Sequence, residues 1–452
     1  MQDSFTAEPS APAFMFPLYV GMGKFAATSG IPLEALQRVV ETLARTLLVL
    51  SLWRFCRRFT FSPSAARAAF LLALFGTGFS LLATLVGAAV GMQQPFAGTW
   101  SYETTTFGLL FSAPHVPLAL AATLELAGWL APGRPRTASP VGLLTAVALG
   151  AALALLHPFH VPVLLAALVV AGVVWLRVGQ GGATLAVAAA TLLGALPALV
   201  PTVTTFTFDP FWSATYTLQN ALPSPLPHEL LVDLGVTLLL ALFGGWRYGT
   251  RVAPFGLLLW VLLAATALYL PVPYQRRLAF GLQPALAVVA GNTLAIIMAS
   301  FPERAAALRI ATIVLAGLTT ASVTAAVLAS SVTGGPLGIY RSTPDLDRAS
   351  AWLGQQVGAG ETILADWETS NYLAARTAGR VIGGHPVATL RPGDKRFLQA
   401  TYFAHGGDLV LARQLGARWV VFGPAQAALQ GPPVQPVFQS GAVRVYRVDD
   451  SA

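Results

Sequence analysis

Residues Pro271–Ser300 read PVPYQRRLAFGLQPALAVVAGNTLAIIMAS. From Leu278 onward no side chain is charged, and Tyr274-Gln275-Arg276-Arg277 stands just before that run. About 20 mostly apolar residues are what an α-helix needs to cross a bilayer core. Working outward in both directions, comparable runs lie near 34–55, 65–90, 113–131, 140–157, 161–177, 183–203, 229–246, 253–271, 278–300 and 310–331. The 452-residue chain is 55% hydrophobic and only 10% charged, whereas soluble domains approach a quarter charged. The expected fold is mostly α: a polytopic transmembrane helical bundle of about ten spans, with a small C-terminal extramembrane α/β domain. Residues 1–32 are expected as an external juxtamembrane segment, 33–332 as the helical domain and 341–452 as the α/β domain. Two runs are irregular. Glu125 interrupts 113–131, and the pair around His157-Pro158-Phe159-His160 is short enough for a re-entrant hairpin.

Charge placement sets the expected sidedness. Arg54, Arg57, Arg58, Arg67, Arg134, Arg136, Arg177, Arg247, Arg251, Arg304 and Arg309 fall in alternate turns, which marks that side as cytoplasmic. The opposite loops Gln93–Ser112 and Thr204–His228 hold no Lys or Arg, so they and the C-terminal tail are expected outside. The net charge of +8 is scattered between apolar runs and forms no single basic face, which argues against a nucleic-acid partner. One cysteine, Cys56, excludes a disulfide within the chain. The first residues lack the basic and apolar regions of a signal peptide.

Arg276 and Arg277 break the charge pattern, because they lie on the expected outer side. Arginine at membrane depth is costly unless it is paired or hydrated. Two guanidinium forks suit a lipid-linked phosphate or diphosphate; the alternative is that they snorkel to headgroups. Around them, Tyr274, Gln275, His157 and Asp209 are candidate substrate-binding residues. Glu103 and His115, on the same outer side, are candidates for a general base, a metal contact or hydrogen bonds to sugar hydroxyls. The competing readings are a solvated loop acid for Glu103, a helix-start residue for His115, a structural turn for His157 and His160, and an aromatic belt around Asp209 with Phe206, Phe208, Phe211 and Trp212. Asp3 and Glu8, the only acids before the first span, read as solvated residues near a chain end.

In the tail, Thr343-Pro344-Asp345 predicts a capped helix start. Ile363–Ala365 and Trp419–Phe422 predict buried strands, Val443–Val448 a last, edge strand, and Lys395–His405 and Leu409–Leu415 helices. The glycines of Gly379–His385 match no phosphate-loop fingerprint and read as turn residues. His385, Asp394 and Lys395 are surface candidates, or ordinary loop residues.

With these residues in hand, the chain resembles the GT-C superfamily of polytopic membrane glycosyltransferases. The resemblance rests on Trp100…Glu103…Phe107…Pro114-His115, on His157-Pro158, on Tyr274-Gln275-Arg276-Arg277 with Gly281, and on Asn371-Tyr372…Gly379-Arg380…Gly384-His385. It implies transfer of a sugar from a polyprenyl-phosphate carrier to an acceptor glycan, lipid or protein at the outer face of a prokaryotic cytoplasmic membrane, by an inverting hexosyltransferase that in some cases uses a divalent metal ion. Members carry an acidic residue after a first transmembrane helix. Here Asp3–Pro9 resembles the latter half of that loop, so the expectation is a chain lacking the first helix, with its activity correspondingly in question. A transporter or flippase of lipid-linked intermediates, and a non-catalytic membrane scaffold, are the competing expectations.

Overall fold

The computed structural model describes residues 3–91, 105–131, 137–219, 221, 223–333 and 342–448. The expected site residue Glu103, with Trp100, Arg134 and Arg136, lies outside the described residues. The chain is predominantly helical with one small sheet. It divides into two compact units, one of residues 16–201 and 222–335 and the other of residues 1–15, 202–221 and 336–452.

In the helical unit each expected apolar run overlaps helix, but the 65–90 run is broken at 76–79, the 253–271 run leaves helix after Ala267, and among the described residues fewer helices than the expected ten are long enough to span. Four stretches, Gly182–Phe208, Pro227–Arg251, Gln275–Ser300 and Pro302–Ser330, are long and apolar enough to cross a membrane, and a fifth follows if the bent pair Pro63–Phe75 and Ser80–Ala89 is one span. Together with the composition, they mark a membrane-embedded protein. His115–Leu130, Pro140–Leu156, His160–Leu176 and Phe255–Ala267 are apolar but shorter. Leu33–Phe59 is 27 residues long and carries charges at both ends, from Glu34 to Arg58. One of these, Arg54, lies 2.6 Å from Glu125, which gives the acid inside the 113–131 run an ionic partner.

Helix Leu282–Ser300 is the centre of this unit: every residue from Leu282 to Leu294 is buried. It packs against Pro63–Phe75 and Pro227–Tyr248. Lipid tails are as apolar as leucine, so close approach at small residues, more than greasiness, decides which helices meet. A Cβ on Gly291 would fall 2.7 Å from the Cβ and backbone of Ala69, and one on Gly244 1.8 Å from Thr293 Oγ1. Asn292 joins three segments, donating to the carbonyls of Phe59 (3.1 Å) and Val252 (2.7 Å) and accepting from Phe61 N–H at 3.4 Å. Helix Ala305–Thr333, equally apolar, is by contrast largely exposed.

The second unit is an α/β layer. Strands β1 Thr362–Leu364, β2 Arg380–Val381, β3 Trp419–Phe422, β4 Phe438–Ser440 and β5 Val443–Arg447 lie in the order β2-β1-β3-β5-β4. β1 is parallel to β2 and β3; β5 is antiparallel to β3 and β4. The Val443–Val448 strand is therefore internal, and β4 takes the edge expected for it. Part of the glycine stretch is strand, since β2 begins at Arg380. Thr343 caps helix Pro344–Gln356 by accepting from Leu346 N–H at 3.2 Å, and Pro392–Ala404 and Leu409–Gln414 fill the remaining helical expectations.

The start of the chain belongs to this unit. Val381 N–H donates to Ser4 O at 3.0 Å, Thr6 bridges Gly383, and Thr389 Oγ1 donates to Phe5 O at 2.6 Å. This covers the outer side of β2, where an open edge would invite pairing with another chain. Trp212 Nε1 donates to Ala11 O at 3.0 Å, and its ring is buried with Ala13 and Met15 among Phe206, Phe211 and Tyr216.

Candidate functional site

The polar end of the central helix is built by a break. Pro271 and Pro273 follow helix Phe255–Ala267, and the chain re-forms as a tight turn, Gln275–Ala279. Gly281, at φ +86°, then starts Leu282–Ser300; a Cβ there would enter the Trp260 ring at 2.7 Å. Arg276 is buried, at 7% exposure. It lines a small cavity of about 30 Å³ with Thr105, Thr106 and Gln283, walled by Leu230 and Leu268. Gln283 Oε1 accepts from both the N–H and the hydroxyl of Thr106 at 2.6 Å, and its amide nitrogen donates to Gly76 O. With the Thr106 hydroxyl proton committed to Gln283, the cavity's cationic donor for an anion is the Arg276 guanidinium.

Arg277 turns elsewhere. Its guanidinium lies 5.2 Å over the Phe159 ring, which also meets Tyr274 at 5.1 Å. The two arginines are thus directed at different neighbours, Arg276 at the cavity and Arg277 at an aromatic wall. The Gln275 amide lies within 2.6 Å of Leu270 O and 2.9 Å of Ser224 N, contacts that become hydrogen bonds when its nitrogen faces Leu270.

Three histidines gather behind Phe159. His115 bonds Tyr19 through Nδ1 (2.8 Å) and stacks on His157 at 6.4 Å, the rings 19° apart. His157 and His160 are 4.4 Å apart, and Phe280 covers both at 4.8 and 3.9 Å. His160 Nδ1 is tied to Thr123 Oγ1 at 2.9 Å, while His157 Nδ1 and His160 Nε2 are buried with no hydrogen-bond partner. Those two nitrogens can receive or give a hydrogen bond to a hydroxyl that reaches them. Among the described residues no group of three His, Cys, Asp or Glu side chains has metal-binding geometry.

Of the residues expected from sequence, Arg277, Tyr274, His157 and His115 come together, and Arg276 faces the adjoining cavity. Asp209 lies in the other unit and is a helix cap, its Oδ1 accepting from Phe211 N–H (2.9 Å) and Trp212 N–H (3.1 Å). Lys395 pairs with Glu8, which accordingly is no free terminal acid. His385 Nδ1 accepts from Val387 and Ala388 N–H at 3.2 and 3.0 Å, closing a turn; burial pushes that imidazole below its ordinary pKa. Asn371 donates to Gly384 O at 2.7 Å, and Asp394 sits in the first turn of Pro392–Ala404. Asn371, Gly384 and His385 thus hold turns within the tail's own scaffold. Sequence reading passed over Gln283 and Tyr19. Gln283 was discoverable as one of the few polar residues, with Asn292 and Thr293, inside the opening apolar run.

No protein-family model matches the chain, and no curated protein shows significant similarity to it.

Proposed function

We propose that the protein is a membrane-embedded glycosyltransferase of GT-C type that takes a sugar from a polyprenyl-phosphate donor. In this reading about ten helical segments cross or enter the cytoplasmic membrane, and the α/β unit is extracytoplasmic. The observation that carries it is the buried Arg276 facing a cavity that also holds Gln283 and the Thr105 and Thr106 side chains. A guanidinium in such a low-dielectric place favours an anionic headgroup strongly. Charge on the leaving phosphate grows as the glycosidic bond breaks, so donors fixed against it stabilise the transition state more than the ground state. Arg277, with Phe159 and Tyr274, would line the path of the carrier, and His115 and His157 would position the acceptor, with Glu103 as the base.

Binding of a polyprenyl phosphate to the purified chain tests the reading without requiring turnover. Arg276→Gln is expected to weaken binding at least tenfold, since a charged hydrogen bond at a buried site is lost, and to abolish sugar transfer. Undiminished affinity in Arg276→Gln rejects the assignment. Binding and translocation of the lipid with no transfer to any acceptor would instead favour a flippase.

A further inference from the structure

Two helices of the membrane unit break at one place. Pro63–Phe75 and Ser80–Ala89 are separated by Gly76-Thr77-Gly78-Phe79, and Pro227–Tyr248 leaves helical geometry at Gly235 (φ 42°, ψ −123°). The breaks cross in backbone contact. A Cβ on Gly78, at φ +62°, would lie 2.3 Å from Val232 O, and one on Gly235 2.7 Å from Gly78 Cα. Phe79 N–H donates to Val232 O at 2.7 Å.

Oxygen-bearing side chains collect at this crossing. Asp233, with no exposed surface, accepts from the Ser80 hydroxyl. Thr319 Oγ1 donates to Gly78 O at 3.0 Å and Thr320 Oγ1 to Phe75 O at 2.8 Å, so carbonyls freed by the first break are answered from helix Ala305–Thr333. Thr237 lies four residues beyond Asp233, on the other side of the Gly235 break. It too has no exposed surface, yet its hydroxyl has no hydrogen-bond partner. That oxygen is aimed into the break, 2.8 Å from where a Cβ of Gly76 would sit.

An acid inside an apolar bundle costs several kcal/mol unless its charge is answered, and such residues mark ion or proton sites by default. Discontinuous helices at membrane depth supply oxygen ligands to cations in the same way. The side chains named at this crossing are one carboxylate and neutral hydroxyls, without sulfur or imidazole. A divalent ion would call for more carboxylates, and a softer metal for other atoms. A proton would neutralise Asp233 but would leave the Thr237 hydroxyl unused.

We infer that the crossing of the two broken helices is a binding site for a sodium-class monovalent cation, with Asp233 as the charged ligand and the Ser80 and Thr237 hydroxyls as neutral ones. The site does not depend on the sugar-transfer reading. Gln283 touches both places, donating to Gly76 O at the break and lining the Arg276 cavity.

The test is thermal unfolding of the full chain in detergent, in NaCl against choline chloride at equal ionic strength. Sodium at 100 mM is expected to raise Tm by about 3–6 °C, as a ligand well above its Kd does. Asp233→Asn and Thr237→Val are each expected to remove the sodium increment. Thr237→Val replaces only an unbonded hydroxyl, so its Tm in choline should match that of the parent, which separates loss of the site from loss of the fold. Arg276→Gln is expected to keep the increment, which separates this site from the proposed phosphate site. Equal Tm in sodium and choline overturns the inference, as does a full increment in Thr237→Val. A Tm that follows pH but not sodium overturns it as well, because Asp233 then holds a proton alone.

Discussion

The two units bury apolar side chains to different ends. In the α/β unit, burial separates inside from outside: Val420, Val421 and Phe422 have no exposed surface, and the helices that cover them are capped by Thr343, Asp366 and Asp408. In the helical unit, apolar residues cover both the inside and the outside. Leu286 is buried and Leu328 is 61% exposed, though nothing about the two side chains differs. A bilayer gives no reward for hiding leucine from lipid, so helix choice falls to close backbone approach and to polar stitching.

The largest expected effect would break that comparison outright. Gly291→Leu drives a side chain into Ala69, whose nearest atoms already lie 2.7 Å from the added Cβ. Such overpacking in the central helix is expected to cost about 3 kcal/mol or more. Gly317→Leu, on the exposed helix, meets nothing closer than 3.8 Å and should change stability by less than about 0.5 kcal/mol. Thermal unfolding in detergent compares the two, and equal losses would mean that small residues do not choose the partners. The next effect is somewhat smaller. Asn292→Leu keeps the volume roughly but strips donors from the carbonyls of Phe59 and Val252, at a cost of about 2–3 kcal/mol. A loss below about 0.5 kcal/mol would show that polar stitching is incidental.

The same contrast explains what could be read from the sequence. Helix positions were legible because long apolar runs need no tertiary information. The Thr343-Pro344 helix start was legible because a cap is local. Asp209-Pro210 carries the same cap-and-proline signature, yet it read as a binding residue because the aromatic residues around it drew the interpretation toward the membrane interface. The edge strand was misplaced because β4 is only Phe438-Gln439-Ser440, too short to show alternation beside Val443–Arg447. Partners distant in sequence left no trace: Arg54 with Glu125, Gln283 with Thr106, Lys395 with Glu8. Hence the cavity around Arg276 was foreseeable as one charged residue in the wrong loop, while the groups around it were not.

The α/β unit holds a buried acid of its own, and it offers the finest test of the contrast. Asp3 is 5% exposed; its Oδ1 accepts from Phe5 N–H at 2.8 Å, and its Oδ2 is buried with no hydrogen-bond partner. Burial pushes its pKa up to about 6 from an ordinary 3.8, against the downward pull of Phe5 N–H and the Lys395 charge. The folded form therefore binds the proton more tightly than the unfolded one, and docking of the first residues is strongest below pH 3.8, weakens as pH rises toward 6, and is level above that. The span of about two pH units sets a ceiling of about 3 kcal/mol, with about 1–2 kcal/mol expected once the freed segment relaxes. The Val381 amide, which donates to Ser4 O, reports on this docking through hydrogen exchange corrected for its intrinsic pH dependence. Protection should fall between pH 4 and 6 in the parent and stay flat in Asp3→Asn, which is neutral throughout and retains an acceptor for Phe5 N–H. Lys395 and Glu8 answer each other close by, and Tyr216 faces the same carboxylate. Glu8→Gln should therefore raise the attraction between Lys395 and Asp3 and shift the fall in protection to lower pH. If the parent shows no such fall, the proton on Asp3 has no part in holding the chain's first residues against β2.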